Sequence, residues 1–466
     1  MTLTKIRQFI KSVHFRLSDL FFFVGFISLA VFLIFGQLYM QFPDPNDLAL
    51  KTWAFIPLFI ILVVSWGTYV YLEYKIGNKT PRCVNIVFII LAILAIISIV
   101  IQPHDFSIDF ISSEGNRLHA EVEISRIHSL FFIFELLSIL SLIYIGLFIF
   151  PKRFKSVKFL LFIGYSLFVL CLVLCVYSYI VEKDNYIPFI TYLLNAENSG
   201  AIKHYAMQSF IINPNAYGMT LMMGVMFCYI HHAINHKWWN FLIALFFYIN
   251  MIFSFCRTCL ILSLIISIIY IYQYLLSTKK EKPLIKKIVL ISLTSVIGLL
   301  ILLVGISYIT KGEFIKPLYS LISTSFSISS TIGSREVIWS NTYQLISQNA
   351  FLYFLFGRGF GVLNEMLLQM NNQVGLEGLF PTHNGYLTLF AEGGIFYLLA
   401  YLVLLFYVIY IFIKCYKKQA SLSTALFFGT LVFSFYSLFE TIHYLVYPFM
   451  FLILVQYNVL YSKEEL

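Results

Sequence analysis

The chain has 466 residues, of which 60% are hydrophobic and 11% charged, with a formal net charge of +9. Soluble domains run at about 45–50% apolar and about 25% charged. A soluble globular enzyme is therefore excluded, and disorder needs the opposite composition. Aromatic residues make up 18%, which suits lipid contact and interfacial belts. The expectation is an all-α polytopic membrane protein, in which the basic balance reports orientation rather than a nucleic-acid partner.

A helix needs about 20 mostly apolar residues to cross the hydrocarbon core. Twelve stretches qualify: Leu20–Met40, Trp53–Tyr71, Val84–Ile101, Ser129–Phe150, Phe159–Ile180, Ala206–Ile230, Trp239–Phe255, Thr258–Tyr274, Ile288–Tyr308, Tyr386–Ile413, Leu422–Phe439 and Tyr444–Leu460. Lys5, Arg7, Lys11 and Arg16 precede the first, and no small-residue cleavage site follows it, so a retained signal anchor is expected. Trp239 to Tyr274 is too long for one span at ~1.5 Å per residue. The polar break Ser254-Phe255-Cys256-Arg257-Thr258 divides it in two. This division places Lys152, Lys155 and the basic run Lys279–Lys287 on the inner face, as the positive-inside rule requires. Both termini are then cytoplasmic. The seven cysteines form no disulfide framework, and Cys256 and Cys259 read as two buried thiols. The chain divides into spans one to nine (1–309), a large extracytoplasmic loop (310–382) and spans ten to twelve (383–466), as a single integrated membrane domain.

A loop as long as Thr310–Thr382 is usually functional. Gly333 can end a coil and Ser334 can cap a helix beginning at Arg335, with Glu336 in its first turn. Ile338, Trp339, Thr342, Leu345 and Ile346 recur at helical spacing, and Arg335 shares their face. A second amphipathic stretch, with Val362, Leu363, Met366, Leu367 and Met370 on one face, is expected to lie on the membrane surface. Between them, Phe356-Gly357-Arg358-Gly359-Phe360-Gly361 permits a tight backbone path without being a nucleotide fingerprint, because no strand precedes it.

Ionisable groups at the membrane are functional candidates by default. Arg257 sits at the outer turn between spans seven and eight. Alone, it reads as an arginine snorkelling to water; the sharper reading is a phosphate ligand, since guanidinium presents a fork matched to phosphate oxygens. Arg335 is expected to point inward, towards either phosphate or carboxylate. His383 and Asn384 follow Pro381-Thr382 at the start of span ten, where free amides and the helix dipole favour an anion. A neutral imidazole there can accept a proton from an alcohol, which makes His383 a candidate general base. Glu392, followed by Gly393-Gly394, lies nine residues on, on the opposite face of the helix at ~3.6 residues per turn. It is expected to meet another helix in a structural or supporting role, with the glycines allowing close approach. Asn213-Pro214-Asn215 opens span six, and its amides suit either capping or a sugar diphosphate. Glu135, Glu440 and His443 are further outer-side polar groups. His231, His232 and His236 face the cytoplasm, where aromatic packing is the expected role rather than metal binding.

Together these segments resemble the O-antigen ligase/polymerase superfamily of bacterial membrane glycosyltransferases. Asn213–Gly218 looks like its asparagine-rich span opening. Ser254–Thr258 resembles its Ser-Arg-Thr element, with cysteine here directly before the arginine. The run from Gly333-Ser334-Arg335 and Trp339, through Phe356–Gly361, to His383-Asn384-Gly385-Tyr386 and Glu392-Gly393-Gly394 is similar to its outer loop and following helix. The resemblance covers about half the chain, from Asn213 through span ten. It implies a GT-C-like helical fold at the bacterial plasma membrane, an extracytoplasmic active site and no metal or other cofactor. Undecaprenyl-diphosphate-linked oligosaccharide would be the substrate, with the bilayer as the setting and a chain-length regulator and a flippase as candidate partners. By the same resemblance, Arg257 and Arg335 match the essential arginines and His383 the essential histidine, with Asn213, Asn215, Arg358, Asn384 and Glu392 as supporting residues. The leading expectation is a repeat-unit polymerase. A ligase acting on lipid A–core or protein is the alternative in the same chemistry. A lipid-linked oligosaccharide transporter is the alternative in another class, although transporters place polar groups near the midplane and these cluster at one face.

Overall fold

Among the described residues, apolar runs become helices whose ends fall at prolines, glycines and polar breaks. The computed structural model describes residues 16–41, 45–78, 82–102, 105–111, 117–123, positions between 130 and 149, 157–194, 204–209, 214–277, 328–347, 351–363 and 382–416. The helices are α1 (Leu17–Gln41), α2 (Pro45–Lys75), α3 (Arg82–Val100), α4 (Val157–Val181), α5 (Tyr186–Leu194), α6 (Pro214–Asn235), α7 (Trp239–Phe253), α8 (Arg257–Ser277), α9 (Ile328–Ser347), α10 (Phe351–Phe356) and α11 (Gly385–Tyr416). Three helices among these residues are long and apolar enough to cross a membrane, at Ile56–Lys75, Arg257–Tyr274 and Gly385–Phe406. Shorter apolar helices occupy Leu17–Leu29, Asn85–Val100, Phe168–Val181 and Trp239–Phe253. The molecule is a mostly helical protein with the apolar helices of a membrane protein. The expected spans at 288–308, 422–439 and 444–460 lie outside the described residues.

Two local expectations are corrected. The loop helix begins at Ile328, so Gly333 and Ser334 lie within it and do not cap it. The run Ile328-Ser329-Ser330-Thr331-Ile332 extends the helix backwards, because a glycine costs only about 1 kcal/mol inside a helix. The segment between α3 and the next helical stretch also holds an antiparallel hairpin, β1 (Asp105–Ile111) with β2 (Arg117–Glu123), in which Asp109 faces His119. The polar–apolar alternation of Asp105-Phe106-Ser107-Ile108-Asp109-Phe110 carries that strand signal, and Ser112-Ser113-Glu114-Gly115-Asn116 carries the turn signal. The hairpin's exposed face pairs Asp109 Oδ1 with His119 Nδ1 at 2.7 Å.

The chain folds into two compact units. The first comprises Met1–Lys155, Ser340–Thr382 and Tyr386–Leu404. Its core joins Leu91 and Ala95 of α3 to Ile133 and Leu136, to Phe360, and to Leu389 and Tyr397 of α11. The second comprises Ser156–Trp339, His383–Gly385 and Leu405–Leu466. Its centre is α6, buried without interruption from Ala216 to His232. A helix apolar on every face belongs inside a bundle, and α6 packs against α4, α7 and α8. Several polar groups in this bundle are paired, as a low-dielectric interior demands. The hydroxyls of Tyr229 and Tyr248 converge on Ser267, whose own hydroxyl donates to the Ser263 carbonyl at 2.7 Å.

Candidate active site

The turn between α7 and α8 is built from short-range bonds. The Ser254 hydroxyl donates to the Met251 carbonyl at 2.7 Å and accepts the Cys256 amide at 3.3 Å. Phe255 takes a φ of 53°, a left-handed conformation unusual for a bulky residue. The Arg257 amide donates back to the Phe255 carbonyl at 3.0 Å. This tight reversal is the expected break in the long apolar run. It makes Arg257 the first residue of α8, with its guanidinium 4.4 Å from the centroid of the Phe255 ring. Arg257 is partly exposed. A cation at the positive end of a helix dipole is unfavourable unless an anion joins it. The same end offers free amides to an anion.

The turn is held from two sides within its unit. Met207 donates its amide to the Phe253 carbonyl at 2.9 Å, and Phe255 packs with Phe189 and Ala206. The Met207 segment is itself fixed by Glu182, whose carboxylate accepts the amides of Gln208 and Ser209, both at 3.1 Å. On the other side stands the first turn of α6. A Cβ on Gly218 would lie 2.5 Å from Cys256 Cβ and 2.7 Å from Ser254 Oγ. Gly218 of α6 thus packs directly against the side chains of the arginine turn, which the sequence spacing does not reveal. Pro214 is the first residue of α6, as its fixed φ and missing N–H favour. Asn215 follows it, half-buried.

His383 also adopts a left-handed backbone, with φ of 48°, directly before α11. Such conformations cluster at functional sites, where surrounding structure pays for the strain. Thr382 is buried, and its hydroxyl pairs with that of Thr388 at 2.5 Å. Asn384 lies between His383 and the helix start, half-buried. Arg335 is a backbone position of α9, three residues before the buried Ile338.

The second unit therefore holds Asn215, Arg257, Arg335, His383 and Asn384. Arg358 and Glu392 belong to the first. Arg358 is 1% exposed, with Nε donating to the Leu345 carbonyl at 3.2 Å and the guanidinium 5.0 Å from the Tyr353 ring centroid. Burial pushes its guanidinium down to about 10, which leaves it charged at neutral pH. The Glu392 carboxylate meets the glycine turn where it runs into a helical turn at 362–363: Oε1 accepts the amides of Gly361 at 3.1 Å and Leu363 at 3.3 Å. The glycine turn takes the tight path expected of it, with positive φ at Gly357, Gly359 and Gly361.

The histidines near the end of α6 are packed among aromatics. His231 bonds the Tyr165 hydroxyl at 2.6 Å and the Asn240 side chain at 2.9 Å. His232 bonds the Tyr270 hydroxyl at 3.0 Å between Phe241 and Tyr274. Asn213, Glu135, Glu440, His443 and the 364–381 part of the second amphipathic stretch lie outside the described residues.

No curated protein matches the chain. Residues 241–402 match a family model described as O-Antigen ligase. The matched segment takes in Arg257, Arg335, Arg358, His383, Asn384 and Glu392, and begins after the opening of α6. That family is of membrane glycosyltransferase type, and over residues 241–402 the chain shows the resemblance to the O-antigen ligase/polymerase superfamily that its motifs carry.

Proposed function

We propose that the protein is a polysaccharide repeat-unit polymerase of the outer face of the bacterial plasma membrane. It moves a glycan from undecaprenyl diphosphate to a sugar hydroxyl of a second lipid-linked glycan. Twelve spans in a GT-C-like arrangement, with both termini cytoplasmic, belong to this reading. The observation that carries it is Arg257. It is a partly exposed guanidinium at a helix N-terminus, on a strained turn, in a family-matched segment and in the same compact unit as His383.

The chemistry follows from charge. His383 takes the proton of the attacking sugar hydroxyl as that oxygen bonds the anomeric carbon. The bond from that carbon to the diphosphate oxygen breaks on the opposite face, so the centre inverts. Undecaprenyl diphosphate leaves with the electron pair. Its growing negative charge is met by Arg257, Arg335 and the N-terminus of α8, and such stabilisation is usually the largest single contribution to catalysis. Two guanidinium forks neutralise a diphosphate without a metal ion. Asn384 and the α6 opening with Asn213 and Asn215 supply amides suited to sugar hydroxyls.

The family model's description favours a second reading, a ligase that transfers to lipid A–core or to protein. Reconstitution of the purified chain with lipid-linked repeat units and no other acceptor separates the two. A ladder of products is the polymerase result. No reaction until core or protein is added is the ligase result and overturns the first reading. Movement of intact lipid-linked glycan across the bilayer, without bond formation, overturns both.

A further inference from the structure

We propose that Glu392 is a positioning residue for the transfer, acting through the glycine turn at 357–363; this rests on the reading of Arg335 and His383 given above. Four amides of that turn end on two adjacent residues of α11. Arg358 donates to the Ala391 carbonyl and Gly359 to the Glu392 carbonyl, both at 3.0 Å. Gly361 and Leu363 donate to Glu392 Oε1. The helix makes its carbonyls available by breaking: Gly394 lies at φ 74° and ψ 177°, so the i to i+4 ladder is interrupted just beyond Glu392. The approach is backbone against backbone. A Cβ on Gly394 would lie 2.3 Å from the Leu355 carbonyl oxygen, and one on Gly357 would lie 2.2 Å from that of Glu392.

The same turn is tied on its other side to α9. Arg358 reaches the Leu345 carbonyl through Nε, with its side chain buried. A strut thus runs from α9 through Arg358 and the glycine turn to Glu392 on α11. The helix at one end carries Arg335, ten residues before Leu345. The helix at the other end starts two residues after His383. A carboxylate 4% exposed, with its accepting oxygen spent on two backbone amides, is not presented to substrate. Its effect on the reaction is the placement of the two helices.

The test uses the full chain in lipid nanodiscs, with Glu392→Ala, Glu392→Gln and Glu392→Asp. Backbone hydrogen exchange over 357–363 is read beside kcat and KM for lipid-linked repeat units. In Glu392→Ala the amides of Gly361 and Leu363 exchange at least about ten-fold faster, since their acceptor is gone. The kcat falls on the order of 100-fold, as a misplacement of about 1 Å does, while KM for the lipid-linked donor stays within about three-fold. Glu392→Gln keeps an acceptor oxygen and restores both protection and most of kcat. Glu392→Asp, one methylene short, lies between. Wild-type kcat in Glu392→Ala despite lost protection overturns the proposal. So does a Glu392→Gln variant that keeps the turn protected yet is as inactive as a blank, because the carboxylate would then act on substrate. Should Glu392→Ala not accumulate, Glu392→Gln and Glu392→Asp decide by the same criteria. A wild-type chain that transfers nothing from any lipid-linked glycan refutes the proposed function instead, and the exchange data keep the two failures apart.

Discussion

Gly218 offers the sharpest test of how the arginine turn is held. Gly218→Ala adds a Cβ that would stand 2.5 Å from Cys256 Cβ. Carbon atoms pack at about 3.5 Å or more, so the turn or the first turn of α6 must yield by about 1 Å. The turn has little room to give, because Phe255 is already left-handed and the Met207 amide and the Phe189 cluster press on it from behind. Overpacking of this kind costs roughly 1–3 kcal/mol. Displacement of Arg257 by about 1 Å predicts a loss on the order of 100-fold in transfer. The assay is the rate of glycan elongation by purified variant at matched protein level, beside its thermal unfolding in detergent. Cys256→Gly removes the opposing Cβ, so the double variant Gly218→Ala/Cys256→Gly is expected to recover part of the rate, a coupling that a double-mutant cycle measures. A Gly218→Ala variant that elongates at the wild-type rate would refute the reasoning, since the close contact would then not place the arginine.

Further outcomes are expected from single substitutions. Arg257→Ala, Arg335→Ala and His383→Ala each abolish glycan elongation while the protein still inserts in the membrane; full activity in any two of them sinks the site assignment. Arg257→Lys keeps the charge but loses the planar fork, and its elongation rate is expected to fall at least about ten-fold, the equivalent of one good charge-assisted hydrogen bond. Ser267→Ala strips the Tyr229 and Tyr248 hydroxyls of their shared partner; it should destabilise the second unit by about 1–3 kcal/mol in detergent unfolding without changing the KM for donor. Arg358→Ala removes a buried, bonded guanidinium from the first unit. It is expected to lower the unfolding temperature, whereas Arg257→Ala, at a partly exposed position, leaves that temperature near the wild-type value.

The local frame that carries the candidate residues was partly legible in one dimension. The polar break at Ser254–Thr258 predicted the reversal between α7 and α8, because a run of more than 30 apolar residues outruns a bilayer at ~1.5 Å per residue. Pro214 announced the start of α6 by its fixed φ. The hairpin at 105–123 carries its alternation in the sequence, but the apolar runs around it carry a much stronger helical signal. The start of α9 shows a related effect. Gly333 and Ser334 are good boundary residues, but a few serines and threonines before them still continued the helix. Propensity is a weak prior that neighbouring turns override.

Composition and charge by themselves determined that this is a membrane-type helical chain. Motif order carried the resemblance to the superfamily, which the family match over residues 241–402 supports, and marked Arg257, Arg335 and His383 as the residues to test. Both are sums or patterns along the chain, and lipid imposes the apolar composition on any helical sequence that crosses it. Tertiary structure alone decided that Gly218 abuts Cys256, that Arg358 turns inward to Leu345, and that Glu392 receives a glycine turn some 30 residues upstream. Each depends on which donor meets which acceptor, and on whether a single Cβ fits between a backbone and its neighbour. No periodicity encodes such distances, which exist only once the helices have packed.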